Sequence, residues 1–205
     1  PLDGKLDARV KGPNITPGYW NAPELTEKAF DEEGYYCFGD ALRLADPDDV
    51  SAGFFFDGRT AENFKLDTGT WVSTGALRTG FINHFGPLIK DIAIAGADQP
   101  YLSALVFPNF EELHRISGLG SDALPHVLFT HPAVVAEFQE KLRSLAKTAT
   151  GSSTLIRKIV LMYPPLSLDA GEVTDKGSVN QRKVLQLRAN TVEAIYNDTA
   201  ETISI

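Results

Sequence analysis

The spacing of apolar and polar positions changes near residue 59 and divides the chain into two parts. Up to residue 58 the pattern is short and alternating, with turn residues at close intervals, which predicts strands. Arg9–Gly12 alternates, and Pro13, Asn14, Pro17 and Gly18 then break the chain before Tyr19-Trp20. Glu24–Phe30 reads as one or two helical turns. Gly34 turns into an extended Tyr35–Phe38, and Leu42–Leu44 continues extended after Gly39-Asp40. Asp46-Pro47-Asp48-Asp49 is a turn before the aromatic strand Gly53–Phe56. This half predicts part of a β-barrel or a sheet layer.

Beyond Arg59 helical periods enter. Phe64–Leu66 and Thr70–Ser73 pair around Asp67-Thr68-Gly69, and a helix is predicted over Thr74–Phe85. Strands follow at Ile89–Ala95 and Tyr101–Phe107, then a short helix over Phe110–Ile116 that stops at Gly118-Leu-Gly120. His131–Ala146 is amphipathic, with Val135, Phe138, Leu142 and Leu145 on one face. Ile156–Met162 is a strand closed by Pro164-Pro165, and a last helix is predicted over Asn180–Tyr196. Strands alternating with helices around one short sheet predict an α+β fold, a small mixed sheet with helices. The domain boundary is placed between residues 1–59 and 60–205. The stretch Asn109–Pro132 reads as an insertion with no assigned function.

Composition narrows the partners. The 205 residues are 43% hydrophobic and 22% charged, enough apolar material for a good core. With 19 basic and 27 acidic residues the formal charge is −8, which argues against nucleic acid or an anionic membrane as the main partner. A small anion is compatible, because a few local cations overcome a weak global field; Arg59, Lys65, Arg78 and Lys176 are candidates. The one cysteine, Cys37, excludes an intrachain disulfide and fits a reducing, cytoplasmic setting. Between Tyr36 and Phe38 it is expected to be a small buried hydrophobe rather than a reactive thiol. Apolar runs such as Leu155–Tyr163 are too short to span a bilayer. Opening at Pro1 inside a strand-rich region, the chain reads as part of a longer polypeptide.

Three segments could carry chemistry. Tyr36-Cys-Phe-Gly-Asp40 runs a strand into a turn, where Asp40 could accept two bonds from a vicinal diol or simply close a Gly-Asp turn. Asp57-Gly-Arg59, after the aromatic strand, could fork a guanidinium onto a ribose or phosphate or leave a surface arginine. Gly69 admits positive φ or the close passage of a thin ligand; its plain alternative is a tight hairpin. In Glu172–Gln181, Lys176 could swing an ammonium onto a developing negative charge. The alternative there is a solvated loop in which Ser178 or Asn180 caps the helix. The four histidines lack metal-ligand spacing and read as structural or surface residues. There is no Gly-x-Ser-x-Gly, Walker loop or dinucleotide fingerprint.

In order, these segments resemble the closing motifs of the AMP-forming adenylating superfamily. Gly12-Pro-Asn-Ile-Thr-Pro-Gly-Tyr-Trp20, Tyr36–Asp40 and Phe56-Asp-Gly-Arg59 through Val72 carry the resemblance. The wording of three segments, Gly12–Trp20, Phe64–Val72 and Thr-Asp-Lys-Gly-Ser-Val-Asn-Gln over 174–181, is most similar to feruloyl-CoA synthases. The resemblance implies the end of a large domain followed by a mobile lid, in an acid–CoA ligase that makes an acyl-AMP and then an acyl-CoA. It implies that Asp40 binds the ribose hydroxyls of ATP and that Arg59 contacts ribose and phosphate. The lid would turn about Ala61 or Glu62. Lys176 would neutralise the α-phosphate and carboxylate during adenylation, and Gly69 and Trp71 would line the CoA pantetheine path. The phosphate loop, the Mg²⁺ ligands and the acid pocket would precede Pro1, so the chain alone is expected to be inactive. The partners implied are a hydroxycinnamic or related carboxylic acid, ATP, CoA and the missing N-terminal domain. A ligase that loads a carrier protein, or a non-catalytic interaction module, are the alternatives. The chain departs from the family pattern in having Ala61 where Asp or Lys is usual, and in placing Lys176 before Gly177 rather than after a glycine.

Overall fold

The computed structural model describes residues 6–205, which form two compact units: one ends at Asn63, the other is Phe64–Ile205.

The leading unit is an antiparallel meander of β1 (Leu6–Val10), β2 (Tyr36–Asp46) and β3 (Asp49–Arg59), with α1 (Pro23–Ala29) between the first two. Pro23 opens α1 where its missing N–H costs nothing. The turn at Asp46–Asp49 is the predicted one, and the two extended pieces predicted within β2 are one continuous strand. The aromatic strand is not buried as expected. Phe54 and Phe55 are each 49% exposed and Phe56 is 64% exposed, whereas Ala41 on the neighbouring strand is fully buried. Cys37, expected to be buried, is half-buried.

The larger unit opens with the hairpin β4 (Phe64–Lys65) and β5 (Trp71–Val72), then α2 (Thr74–Phe85), β6 (Ile89–Ala95) and β7 (Leu102–Pro108). Three helices follow: α3 (Phe110–Ser117), α4 (Pro125–Thr130) and α5 (Pro132–Ala146). They carry the chain over to β8 (Ile156–Leu161), which pairs parallel with β7, as such a pairing requires a long crossover. α6 (Gln181–Leu187), α7 (Ala189–Tyr196) and β9 (Ile203–Ser204) complete the unit. The sheet order is β6-β7-β8-β9, with antiparallel outer pairings. This is the predicted small mixed sheet with helices.

Every residue of β7 is buried, because both faces of the sheet are covered. Ile92, Ile94, Ala104, Val106, Ile159 and Leu161 face a core shared with α2 to α5, where Phe81, Phe85 and Phe138 are buried together. Ala93, Leu105, Phe107 and Val160 face the opposite core with Val184 and Ile195. The buried face of α5 centres on Val134, Phe138 and Leu142, with Val135 and Leu145 partly buried against the same core. The region 109–132 contributes Leu113 of α3 and Leu128 of α4, both fully buried, to that core. Two sequence expectations need correction. The last helix is broken at Arg188, which leaves helical geometry at φ −102°, ψ 22° and ends α6. Arg78 is no free cation, because two bonds of 2.9 and 2.6 Å fork it onto Asp91. Among the described residues no helix is long and apolar enough to cross a membrane.

Candidate functional site

Asp40 and Arg59 are direct cross-strand partners on β2 and β3. Between this pair and Leu42↔Phe56 the register shifts, β3 carrying one more residue than β2. Such a bulge re-aims the side chains beside it. Arg59 Nη1 lies 3.0 Å from Asp40 Oδ1 and donates to the Phe38 carbonyl at 3.2 Å. Asp40 Oδ1 is buried yet accepts no hydrogen bond, so the guanidinium gives it charge without a directed donor. The arginine side chain is 58% exposed, so in isolation the pair is worth about 0–1 kcal/mol. Thr60 Oγ1 donates to the Gly39 carbonyl at 3.1 Å and fastens the end of β3 to β2. A buried acceptor beside an exposed cation is chemically suited to a diol next to a phosphate.

Ala61 and Glu62 lie in a single 3-10 turn, Thr60–Glu62, just before the division between the two units.

In the larger unit, Gly69 and Trp71 sit on the β4–β5 hairpin. Gly69 N–H donates to the Leu66 carbonyl at 2.9 Å and Leu66 N–H to the Thr70 carbonyl at 3.0 Å, with Gly69 at φ +80°. That is a turn whose third loop residue must be left-handed, so glycine is required there. Lys65 and Trp71 are cross-strand neighbours, and the Lys65 ammonium lies 4.9 Å from the indole centroid. The hairpin is tied to the β6–β7 turn by Asp98 N–H to the Lys65 carbonyl (2.9 Å) and Asp67 N–H to the Gln99 carbonyl (3.1 Å). Gly96 makes this docking possible: a Cβ there would lie 2.8 Å from Leu102 Cδ2 and 3.1 Å from Phe64.

Lys176 stands on a second hairpin of the same design. Gly177 N–H donates to the Thr174 carbonyl (2.9 Å), Thr174 N–H donates to the Ser178 carbonyl (2.8 Å), and Gly177 has φ +79°. Lys176 is exposed at the tip, and among the described residues no acceptor holds its ammonium. The base is different. Glu172 is 2% exposed and receives Arg188 Nε at 2.8 Å, Arg188 Nη2 at 3.0 Å and Ser167 N–H at 2.9 Å. Arg188 also donates to the Pro164 carbonyl at 3.1 Å. The paired guanidinium holds the Glu172 carboxyl below its ordinary range, ahead of the opposing effect of burial. On the other arm, buried Gln181 accepts from Ile94 N–H at 3.0 Å and donates to the Ile94 carbonyl at 2.7 Å. Asn180 caps α6 by accepting from Lys183 N–H, whereas Ser178 pairs with Thr174 across the hairpin. Sequence reasoning passed over Glu172, Arg188 and Gln181, because a buried polar side chain and a solvated one look alike without a partner in view.

Two of the histidines make main-chain hydrogen bonds: His84 Nε2 pairs with the Lys141 carbonyl of α5, and His131 Nδ1 accepts from Ala133 N–H at the start of that helix. Among the described residues no three His, Cys, Asp or Glu side chains gather as a metal would need.

The family described as "AMP-binding enzyme C-terminal domain" matches residues 68–200. A carboxylic acid reductase of Segniliparus rugosus is 28% identical over 195 residues, which are 94% of this chain and 15% of that protein. The long-chain-fatty-acid–CoA ligase FadD15 of Mycobacterium tuberculosis is 29% identical over 199 residues, 95% of this chain and 31% of the ligase. Among solved structures, the A domain of the Segniliparus rugosus carboxylic acid reductase, in complex with AMP and a co-purified carboxylic acid, superposes with a TM-score of 0.74. It is 26% identical, over 96% of this chain and 28% of that one. The chain therefore spans less than a third of the length of these relatives.

Proposed function

The chain belongs to the AMP-binding enzyme C-terminal domain family, and on that premise we propose that it is the carboxy-terminal part of an ATP-dependent acid-activating ligase. The observation that carries the reading is the Asp40–Arg59 pair, a buried carboxylate acceptor and an exposed guanidinium in register on adjacent strands. Asp40 accepts from the ribose hydroxyls of the nucleotide, and Arg59 holds charge beside the phosphate. A bond of this charged kind contributes about 1.5–3 kcal/mol. The turn at Ala61-Glu62 is the pivot of the following domain. Lys176, whose ammonium no acceptor holds among the described residues, brings its charge to the negative charge that grows as acid and α-phosphate join. Gly69 and Trp71 border the path of the CoA thiol arm in the second half-reaction, so one site serves two reactions by domain rotation. ATP and CoA are co-substrates, and the Mg²⁺ ligands lie outside this chain. A feruloyl-type aromatic acid is the substrate favoured by the wording of the three motif segments.

The test uses the complete polypeptide that contains this sequence, assayed for AMP release with MgATP, CoA and ferulate. Acid-dependent AMP and an equal amount of feruloyl-CoA are expected, and Asp40→Asn is expected to lower kcat/KM for ATP by about tenfold or more. Acyl-AMP formed without transfer to CoA would move the assignment to a ligase that loads a carrier protein. No acid-dependent pyrophosphate release with any aromatic or fatty acid would overturn it. The present chain alone is expected to show no low-micromolar ATP binding by isothermal titration.

A further inference from the structure

The Lys176 hairpin is fixed at its two feet and free at its tip. One foot is Glu172, buried and held by three donors from Arg188 and Ser167. The other is Gln181, 3% exposed, whose amide matches both the N–H and the carbonyl of Ile94 on the edge strand β6. Between the feet, Asn180 N–H donates to the Glu172 carbonyl at 2.9 Å and Val173 bridges Val179, so the two arms move together. Beyond them the Thr174–Ser178 hydroxyl pair and the main-chain bonds of the turn complete the hairpin before the lysine. Two residues beyond Ile94, just past the end of β6, Gly96 opens the turn whose Asp98 and Gln99 dock the Gly69 hairpin through Lys65 and Asp67.

We propose that Gln181 and Glu172 are positioning residues for Lys176. They make no contact with substrate; they fix the stem so that the ammonium at the tip arrives where charge develops. This rests on the reading of Lys176 given above. A misplacement of about 1 Å in such a group costs on the order of a hundredfold in rate, whereas a role in stability alone would affect both half-reactions alike.

The experiment compares Gln181→Met, Glu172→Gln and Lys176→Ala in the complete enzyme, with thermal melts to establish folding. Acyl-AMP formation and thioester formation from synthetic acyl-AMP plus CoA are measured separately. For Gln181→Met, kcat of acyl-AMP formation is expected to fall by about tenfold to a hundredfold, with KM for MgATP and the thioester half-reaction near parental values. Should Gln181→Met fail to fold, Glu172→Gln, which keeps the shape of the side chain, decides the matter by the same split. If Lys176→Ala leaves acyl-AMP formation intact, the reading of the lysine fails. If Lys176→Ala abolishes it while the folded stem variants keep parental rates, or lose both half-reactions in proportion, the positioning role is overturned and the reading of the lysine stands.

Discussion

Glu172 keeps its charge inside the protein because Arg188 meets it there with two bonds. Its carboxyl is held below the ordinary range, so its contribution to stability is complete above about pH 4.3, the unfolded glutamate value. That contribution is lost as pH falls through the lower folded value. Glu172→Gln is therefore expected to destabilise the protein by about 1–3 kcal/mol at neutral pH, and its melting temperature should converge on the parental one in acid. Tyr196 governs the alkaline limb. Its hydroxyl is within 2.9 Å of Ser103 Oγ and 3.1 Å of the Tyr101 carbonyl, and burial pushes the phenol up to about 12. The neutral form is the one that fits, so this stability is present below about pH 10 and lost as pH rises through the folded value. Tyr196→Phe should flatten the alkaline melting profile over that window.

At the scale of elements, most of the fold can be read from periodicity, since long helices and branched strands announce themselves. α2 runs over the predicted residues and α5 within one residue of them, because their apolar spacing exceeds two turns. What escaped has physical reasons. α4 has six residues, too few to show a period, and β9 has two. The break at Arg188 carries no local signal, and the residue's partner Glu172 lies sixteen positions away. Of the candidate site, the Gly69 hairpin was legible as turn chemistry, whereas Asp40 and Arg59, expected beside turns, lie within strands, and the segment of Lys176, read as a loop, is a hairpin with buried feet. The hairpins offer a check on that chemistry. Gly177→Ala places a Cβ in a left-handed residue with open space around it, so the cost is conformational alone, about 1–2 kcal/mol. Chemical denaturation should show that loss with an unchanged m-value.

For the whole molecule, the two units differ in how they bury apolar surface. Phe64–Ile205 has a sheet covered on both faces and two cores, and it is expected to unfold cooperatively when expressed alone. In that fragment Phe138→Ala, at the aromatic contact with Phe85, should cost about 3–5 kcal/mol; a broad, non-cooperative melt of the parent fragment would contradict the expectation. The leading unit is a three-stranded sheet with one short helix, in which Phe54, Phe55 and Phe56 are about half exposed or more and Trp20 is 95% exposed, so it buries far less apolar surface.

The repeated turn geometry of the larger unit has an evolutionary consequence. In each three-residue loop only the glycine is demanded by the backbone, at Gly69 and at Gly177. The two residues ahead of it, Asp67-Thr68 and Asp175-Lys176, do not have positive φ, so no glycine is required there. Mutation can therefore rewrite the apex, moving a lysine by one position or replacing it, while the scaffold beneath is inherited unchanged.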